Sequence, residues 1–417
     1  MILYQRSKTP PMTHHSGTAT RRILRPPQVR GANRAVVLQF LRHQERMSRA
    51  EIARQSGLSE GTVSRIVAEL VDERLVSEDG AENSTGGRPG TRLQLEPRRV
   101  AFGADIQNRE IRCSMATMRG RLVETRRFPT PTSLPEALDQ IAEAFIDFRK
   151  RFGADHVEGL GISVRGIVNS ETGVLQLGSR PEWVKVPVKE ILEQRLKVPV
   201  FVQNNVRAAA LAEYNYGVAE VHSSRCFLFI KIDEGVGTGI LLDGKPYLGT
   251  HMAAGEFGQM VIAASPGPER HDRPGCLERL VCNAAICDLY VALSGSKRQS
   301  SPGDATARIR KIAQLALAGD PAARKTVEDV SRYLGVGISN IIWGLDADVV
   351  IIDGVICDAW PLVEPMLREQ FPDSRDLPNF RHLVIRKSGL AGDAALIGAT
   401  TLPFTSLFTT GERPQMN

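Results

Sequence analysis

Early in the chain, apolar residues recur at helical spacing in two short runs with a tight turn between them. Ala50, Ile52 and Ala53 share a face of the first run, Ser56-Gly57-Leu58 supplies the turn, and Ser59 caps a second helix whose Val63, Ile66, Val67 and Leu70 point inward. Glu60, Thr62, Ser64 and Arg65 then fall on the outer face, together with the cap residue Ser59. A helix-turn-helix offers that face to a DNA major groove. An ordinary pair of packed helices is the plainer alternative, but the glycine turn and small alanines suit the close crossing of the motif.

Alternation with period two follows. Leu75-Val76-Ser77-Glu78 and Thr91-Arg92-Leu93-Gln94-Leu95 predict two strands around the polar loop from Gly80 to Gly90, which turns the motif into a winged helix-turn-helix. Within that loop Gly86-Gly87-Arg88-Pro89 places Arg88 on a stiffened, glycine-flanked tip suited to a narrow minor groove; an exposed surface arginine is the alternative.

Beyond the wing, Val100 to Ile106, Ile111 to Met118 and Leu122 to Phe128 predict three strands, followed by a helix from Pro135 to Phe152 and the strand Val157 to Val164. A second run of the same kind begins at Cys226 to Ile232, continues through Gly239 to Leu242 and Lys245 to Tyr247, and later alternates helices with the strand Val349 to Ile352. Two such α/β units predict two lobes with a cleft between them.

A chain of 417 residues exceeds a single core. The expected division is a basic disordered tail (1–30), a winged domain (31–98), a first lobe (99–205), a second lobe (206–400) whose C-terminal helix returns to the first, and a tail (401–417). Residues 1–30 contain Arg6, Lys8, Arg21, Arg22, Arg25 and Arg30 and no acid, so they carry the whole net charge of +6. Such an arm suits DNA phosphates or simple solvation. No apolar run reaches signal-peptide or membrane-spanning length, and the six cysteines form no CxxC pair, so a cytoplasmic, reduced protein with no membrane partner is expected.

Four further stretches carry a family resemblance: Val202-Gln203-Asn204-Asn205-Val206-Arg207, Gly235-Val236-Gly237-Thr238-Gly239, Gly255-Glu256-Phe257-Gly258-Gln259 and Pro274-Gly275-Cys276-Leu277-Glu278. With the wing and its Gly-Gly-Arg-Pro segment, their order and spacing resemble the ROK family of repressors and sugar kinases, over nearly everything from residue 31 to about 400. The resemblance implies an α/β fold: a two-lobed, actin-like core of the sugar kinase and heat-shock ATPase type, preceded by the winged helix-turn-helix.

It also implies where chemistry has been lost. The family's kinases use an Asp after Asn as general base, and Asn205 stands there; a carboxamide has no usable proton affinity, which removes a roughly hundred- to ten-thousand-fold contribution. Their first phosphate loop is Asp-x-Gly-Gly-Thr, against Asp105-Ile106-Gln107-Asn108-Arg109 here, whose bulky side chains obstruct close backbone approach to phosphate. The expectation is therefore no catalysis.

The sugar side is better matched. Asn204, Asn205, Glu256, Gln259 and Glu278 fall on family positions around a sugar, whose vicinal hydroxyls need paired donors and acceptors. Glu278 has an alternative role in a helix first turn, and Asn204 in a turn. The family zinc site departs, with Gln259 in place of His and with Glu269, His271 and Cys276 as the remaining candidates; no required cofactor is expected, zinc being the alternative.

Together these readings predict a sugar- or sugar-derivative-responsive transcriptional regulator, a repressor of carbohydrate genes. Its expected partners are a double-stranded DNA operator, a small sugar or sugar-phosphate effector, and further copies of itself in a homodimer or larger homo-oligomer. A sugar kinase that also binds DNA and a regulator controlled by a protein partner are the alternatives.

Overall fold

A computed structural model of the chain describes residues 26–81, 91–153, 156–218, 224–263, 274–296, 305–372 and 377–413. The N-terminal unit contains α1 (Pro26–His43), β1 (Met47–Ser48), α2 (Arg49–Ser56), α3 (Glu60–Asp72), β2 (Val76–Ala81) and β3 (Thr91–Leu95). Ser48 and Glu51 start α2 with a reciprocal capping box: the Ser48 hydroxyl accepts from the Glu51 N–H at 3.2 Å, and Glu51 accepts from the Ser48 N–H at 2.7 Å. Gly57 ends α2 at φ 73°, a left-handed geometry that favours a residue without Cβ. Ser59 then caps α3 by accepting from the Thr62 N–H at 3.2 Å.

Val63, Ile66, Val67 and Leu70 of α3 pack with Ile52 and Ala53 of α2 and with Val37, Leu38 and Leu41 of α1. Ala50 corrects the expectation: it is exposed, because it lies in the first turn of a helix whose buried residues are Ile52 and Ala53. The strands order as β1-β3-β2, all antiparallel, with β1 an extra strand that the alternation did not predict.

The free basic tail expected to residue 30 is corrected at its end. Pro26 opens α1, where its fixed φ suits a first helical turn, and Arg30 pairs with Glu69 at 2.8 Å. Residues 1–25 lie outside the described residues.

The first lobe comprises β4 (Val100–Ile106), β5 (Glu110–Thr117), β6 (Leu122–Pro129), α4 (Leu134–Phe152), β7 (Val157–Val164), β8 (Gly166–Asn169), β9 (Val174–Gly178), β10 (Val184–Val186), α5 (Val188–Leu196) and β11 (Val200–Asn204). Its main sheet runs β11-β7-β4-β5-β6, with β8, β9 and β10 forming a small sheet. Phe102 of β4 meets Phe145 and Phe148 of α4 edge-on at 5.4 and 5.3 Å, the centre of a core between sheet and helix.

The second lobe comprises α6 (Asn205–Tyr216), β12 (Cys226–Ile232), β13 (Val236–Leu242), β14 (Lys245–Pro246), α7 (Leu277–Val281), α8 (Asn283–Ser294), α9 (Ala305–Leu317), α10 (Pro321–Leu345), β15 (Val349–Asp353), α11 (Trp360–Arg368), α12 (Pro378–Arg381) and β16 (Val384–Lys387). Its sheet runs β14-β13-β12-β15-β16. Each large sheet places three antiparallel strands in chain order on one side and two parallel additions on the other. This repeated layout is the two-lobed actin-like core of the sugar kinase and heat-shock ATPase fold.

Two helices fill the space between the sheets, α6 and α13 (Ala394–Thr401). Small residues permit this: Ala208, Ala209, Ala210 and Ala212 of α6 are all buried, and a Cβ at Gly161 or Gly398 would overlap the carbonyl oxygen of Ala399 or Ala208. The chain then turns through Leu402–Phe404 into α14 (Thr405–Thr410). Phe404, Leu407 and Phe408 enter the core of the N-terminal unit beside Leu38 and Leu41, so the expected tail from residue 401 is instead a buried strap. Each large apolar side chain buried there stabilises the junction by about 1.5–3 kcal/mol. Among the described residues no helix is long and apolar enough to cross a membrane.

Candidate DNA-reading helix and inter-lobe cleft

Helix α3 presents Glu60, Ser64 and Arg65 to solvent, and Arg65 forms no ion pair among the described residues. Ser59 and Thr62 are less free than the sequence suggests, since their hydroxyls bond each other at 2.9 Å as part of the cap. Gly61 was missed: it is exposed, and no atom lies within 4 Å of where its Cβ would be. A glycine inside a helix costs about 0.5–1 kcal/mol, and at this exposed first-turn position the missing Cβ leaves the backbone open to close approach. Arg88 lies outside the described residues.

Between the lobes is a cavity of 590 Å³ whose lining includes Asp105, Asn108, Arg165, Asn205, Lys231 and Asp233. Asp105, at the end of β4, is buried and accepts from the Ser163 hydroxyl at 2.8 Å and the Gln107 amide at 2.7 Å. Burial alone would lower the Lys231 ammonium, but Asp353, Asp233 and Asp105 outweigh it and raise it, so the group stays charged beside Asp353 at 3.2 Å. Asn205 begins α6 and brings a neutral carboxamide to this cavity.

The loop after β4 reaches across to the second lobe. Asn108 and Arg165 of the first lobe both donate to Glu234 of the second, Arg165 at 2.8 Å, so a polar clasp crosses the cleft mouth. Neither Asn108 nor Glu234 figured in the sequence-based set of ligand contacts, because a clasp is assembled from loops far apart in the chain.

Asn204 takes the structural role given above as its alternative. Its Oδ1 accepts from the Val206 and Arg207 N–H groups at 2.9 and 3.1 Å, and its Nδ2 donates to the Gly166 carbonyl at 2.9 Å. It caps α6 and fixes the adjoining strand.

Glu256, Gln259 and Glu278 come together on the second lobe. Gln259 Nε2 donates to Glu278 Oε1 at 3.2 Å, and Glu278 Oε2 accepts from the Val236 N–H of the glycine-rich β12–β13 turn at 2.8 Å. Glu256 reaches solvent, yet the protein around it desolvates the carboxyl and raises its pKa; Arg207 opposes this, and Glu278 adds to it. Arg207 is a second residue missed in the sequence. Almost buried on α6, it donates to the carbonyls of Met252 at 2.6 Å and Ala254 at 3.3 Å, and so pins the loop that carries Glu256.

Of the zinc candidates, Cys276 is buried, and Glu269 and His271 lie outside the described residues. Among the described residues no three His, Cys, Asp or Glu side chains cluster as a metal site. Cys282 is the joint between α7, which ends at Val281, and α8, on which Cys287 is buried. His251 is exposed.

Two family models match, the IclR helix-turn-helix domain over residues 34–80 and the ROK family over residues 101–405. The DNA-binding transcriptional dual regulator NagC of Escherichia coli is 28% identical over 90% of this chain and 92% of its own length. The xylose repressor of Caldicellulosiruptor bescii is 24% identical over 90% of this chain and 96% of its own length. A crystal structure of a ROK family transcriptional regulator, a homolog of the E. coli MLC protein, superposes with a TM-score of 0.75 at 23% identity, over 92% of this chain and 98% of that one. With its family match spanning most of the 417 residues behind a helix-turn-helix, the chain belongs to the ROK family.

Proposed function

We propose that this chain is a transcriptional regulator, a repressor of carbohydrate genes, that reads operator DNA through α3 and the wing and is released by a sugar or sugar derivative bound in its second lobe and cleft. The single observation that carries the reading is the shared core at the C-terminus. Phe404, Leu407 and Phe408 follow directly from α13, which lies between the lobes, and pack against α1 of the DNA-reading unit. A ligand that favours one arrangement of the lobes thereby acts on how the reading helices are presented. An effector coupling of about 1–3 kcal/mol would change operator occupancy roughly five- to 150-fold.

Relatives named as a xylose repressor and as the regulator NagC support a DNA output. Reading an operator calls for two α3 helices on successive major grooves, hence a homodimer or larger homo-oligomer. Catalysis is not part of the proposal: Asn205 supplies no general base, and Asn108, in the altered loop, is committed to Glu234. No cofactor is needed for such a sensor.

The test is fluorescence anisotropy of the full chain on DNA from its own promoter region, with and without a panel of pentoses, hexoses, amino sugars and their phosphates, beside a nucleotide-turnover assay on the same panel. The expected result is tight, specific binding relieved by one ligand class with no turnover. Specific phosphorylation of a sugar would overturn it, as would DNA binding that no member of the panel changes.

A further inference from the structure

A second cavity, of 340 Å³, lies away from the inter-lobe cleft, at the joint between the DNA-reading unit and the lobes. Its wall combines Arg42 of α1, Asn215 at the end of α6, Asp243 and Lys245 from the β13–β14 turn, and Thr401 and Thr405 from the C-terminal strap. Four parts of the chain that are distant in sequence therefore meet around it.

Arg42 is the feature that asks for a partner. It is only 9% exposed, its Nε has no hydrogen-bond partner, and among the described residues no carboxylate pairs with it. The guanidinium lies over the Phe408 ring at 4.4 Å and near the Tyr216 ring at 5.7 Å, contacts that orient the group without neutralising its charge. Desolvation pulls its pKa below the ordinary arginine value, with the Tyr216 phenol as the main counterweight. The acid in the wall, Asp243, is turned to Arg225 at 3.4 Å.

A buried cation without a counter-ion is costly, and the usual remedies are an acidic side chain or a bound anion. Around the same space stand a second cation, Lys245, the Thr405 hydroxyl and the Asn215 carboxamide, one of whose N–H groups donates to the Leu211 carbonyl at 2.8 Å; the Thr401 hydroxyl is committed to the Ile397 carbonyl at 2.8 Å. That donor set suits a group with several acceptor oxygens, and guanidinium in particular matches phosphate.

We propose that this junction cavity binds the phosphate group of a small molecule, a phosphate ester or free phosphate, with Arg42 as its charge partner and Lys245 at its rim. The location gives binding a consequence. Helix α6 starts at Asn205 in the cleft and ends at Tyr216 beside Arg42, so an anion seated here bridges α1, α6 and the strap and fixes the DNA-reading unit against the lobes.

The experiment is isothermal titration of the full chain with inorganic phosphate, glycerol 3-phosphate, acetate and glycerol, repeated with Arg42→Gln and Lys245→Gln. We expect one site per chain for phosphate or glycerol 3-phosphate, the stronger of the two identifying the source, with acetate weak and glycerol silent. Arg42→Gln should weaken binding about tenfold or more, as loss of a charge-assisted contact requires. Lys245→Gln, on an exposed residue that leaves folding undisturbed, should weaken it about two- to fivefold. Absence of heat with both phosphates would overturn the proposal. So would equal affinity for acetate, or affinity unchanged in a folded Arg42→Gln protein. If Arg42→Gln does not fold, unchanged affinity in Lys245→Gln has the same force.

Discussion

Arg34 and Glu73 are joined by two parallel hydrogen bonds, Nη1 to Oε1 at 2.8 Å and Nη2 to Oε2 at 2.7 Å, while Arg34 Nε donates to the Gly411 carbonyl at 3.0 Å. One guanidinium on α1 therefore clamps the C-cap of the DNA-reading helix to the end of the strap. Glu69, on α3, adds a third contact to Arg34 at 3.3 Å. Because the strap continues from α13, this clamp is a direct mechanical connection between the lobes and α3.

Arg34→Gln should lower stability by about 1.5–3 kcal/mol, since Arg34 is buried and leaves a carboxylate and a carbonyl without their donor. Denaturant unfolding checks this. The same variant should bind operator DNA but respond less to effector; a full effector response would remove Arg34 from the coupling.

Arg65→Ala should weaken operator binding by about 1–3 kcal/mol if Arg65 reads a base, with unfolding midpoints shifted little because the side chain is exposed. Gly61→Ala should raise helix stability by about 0.5–1 kcal/mol and still weaken DNA binding. A stabilised Gly61→Ala protein with unaltered operator affinity would show that nothing approaches that position.

Glu234→Ala removes the clasp to Asn108 and Arg165. The residues are partly exposed, so the expected change in effector affinity is modest, a loss of about two- to fivefold by calorimetry. Affinity for unliganded operator should hold. An unchanged effector affinity would mean that the clasp plays no part in closing the cleft.

Asn205→Asp places a carboxylate at the position where the resemblance to the ROK kinases implies one. No phosphorylation should appear in a coupled nucleotide assay, because the Gln107-Asn108-Arg109 turn still lacks the glycines for phosphate approach and Asn108 remains tied to Glu234. Turnover in this single variant would show that one side chain separates the protein from catalysis.

Acid should loosen the DNA-reading unit by a defined route. The Ser48 N–H holds the Glu51 carboxyl below its ordinary value of 4.5, and Arg30 does most to hold Glu69 below the same value. With folded values below unfolded ones, the unfolded chain takes up protons first as pH falls. This stabilisation is complete above about 4.5 and disappears as the pH drops through the folded values. A Glu51→Gln, Glu69→Gln protein should show a flatter loss of stability below pH 4.5 than the parent in parallel urea titrations; superimposable slopes would count against both pairs.

Much of the fold was legible because it is local. The period-3.6 stripe of Val63, Ile66, Val67 and Leu70, the serine caps and Gly57 fix α3 and its turn without outside help, and the apolar runs at Val100, Val157 and Cys226 are core strands. The same local logic misjudged the ends. Phe404, Leu407 and Phe408 look like a stray apolar cluster in a tail until α1 supplies the surface they cover.

What the sequence determined by itself is the set of elements and the chemical limits of single side chains: Asn205 is no base whatever surrounds it. What only the tertiary structure decided is which side chains share a space. Asn204 caps a helix, Glu234 reaches across to Asn108, Arg34 joins α3 to Gly411, and Arg42 is enclosed without an acid. The physical reason is that spacing along the chain encodes local hydrogen bonds and faces. Desolvation and pairing depend instead on distances between segments that only packing brings together.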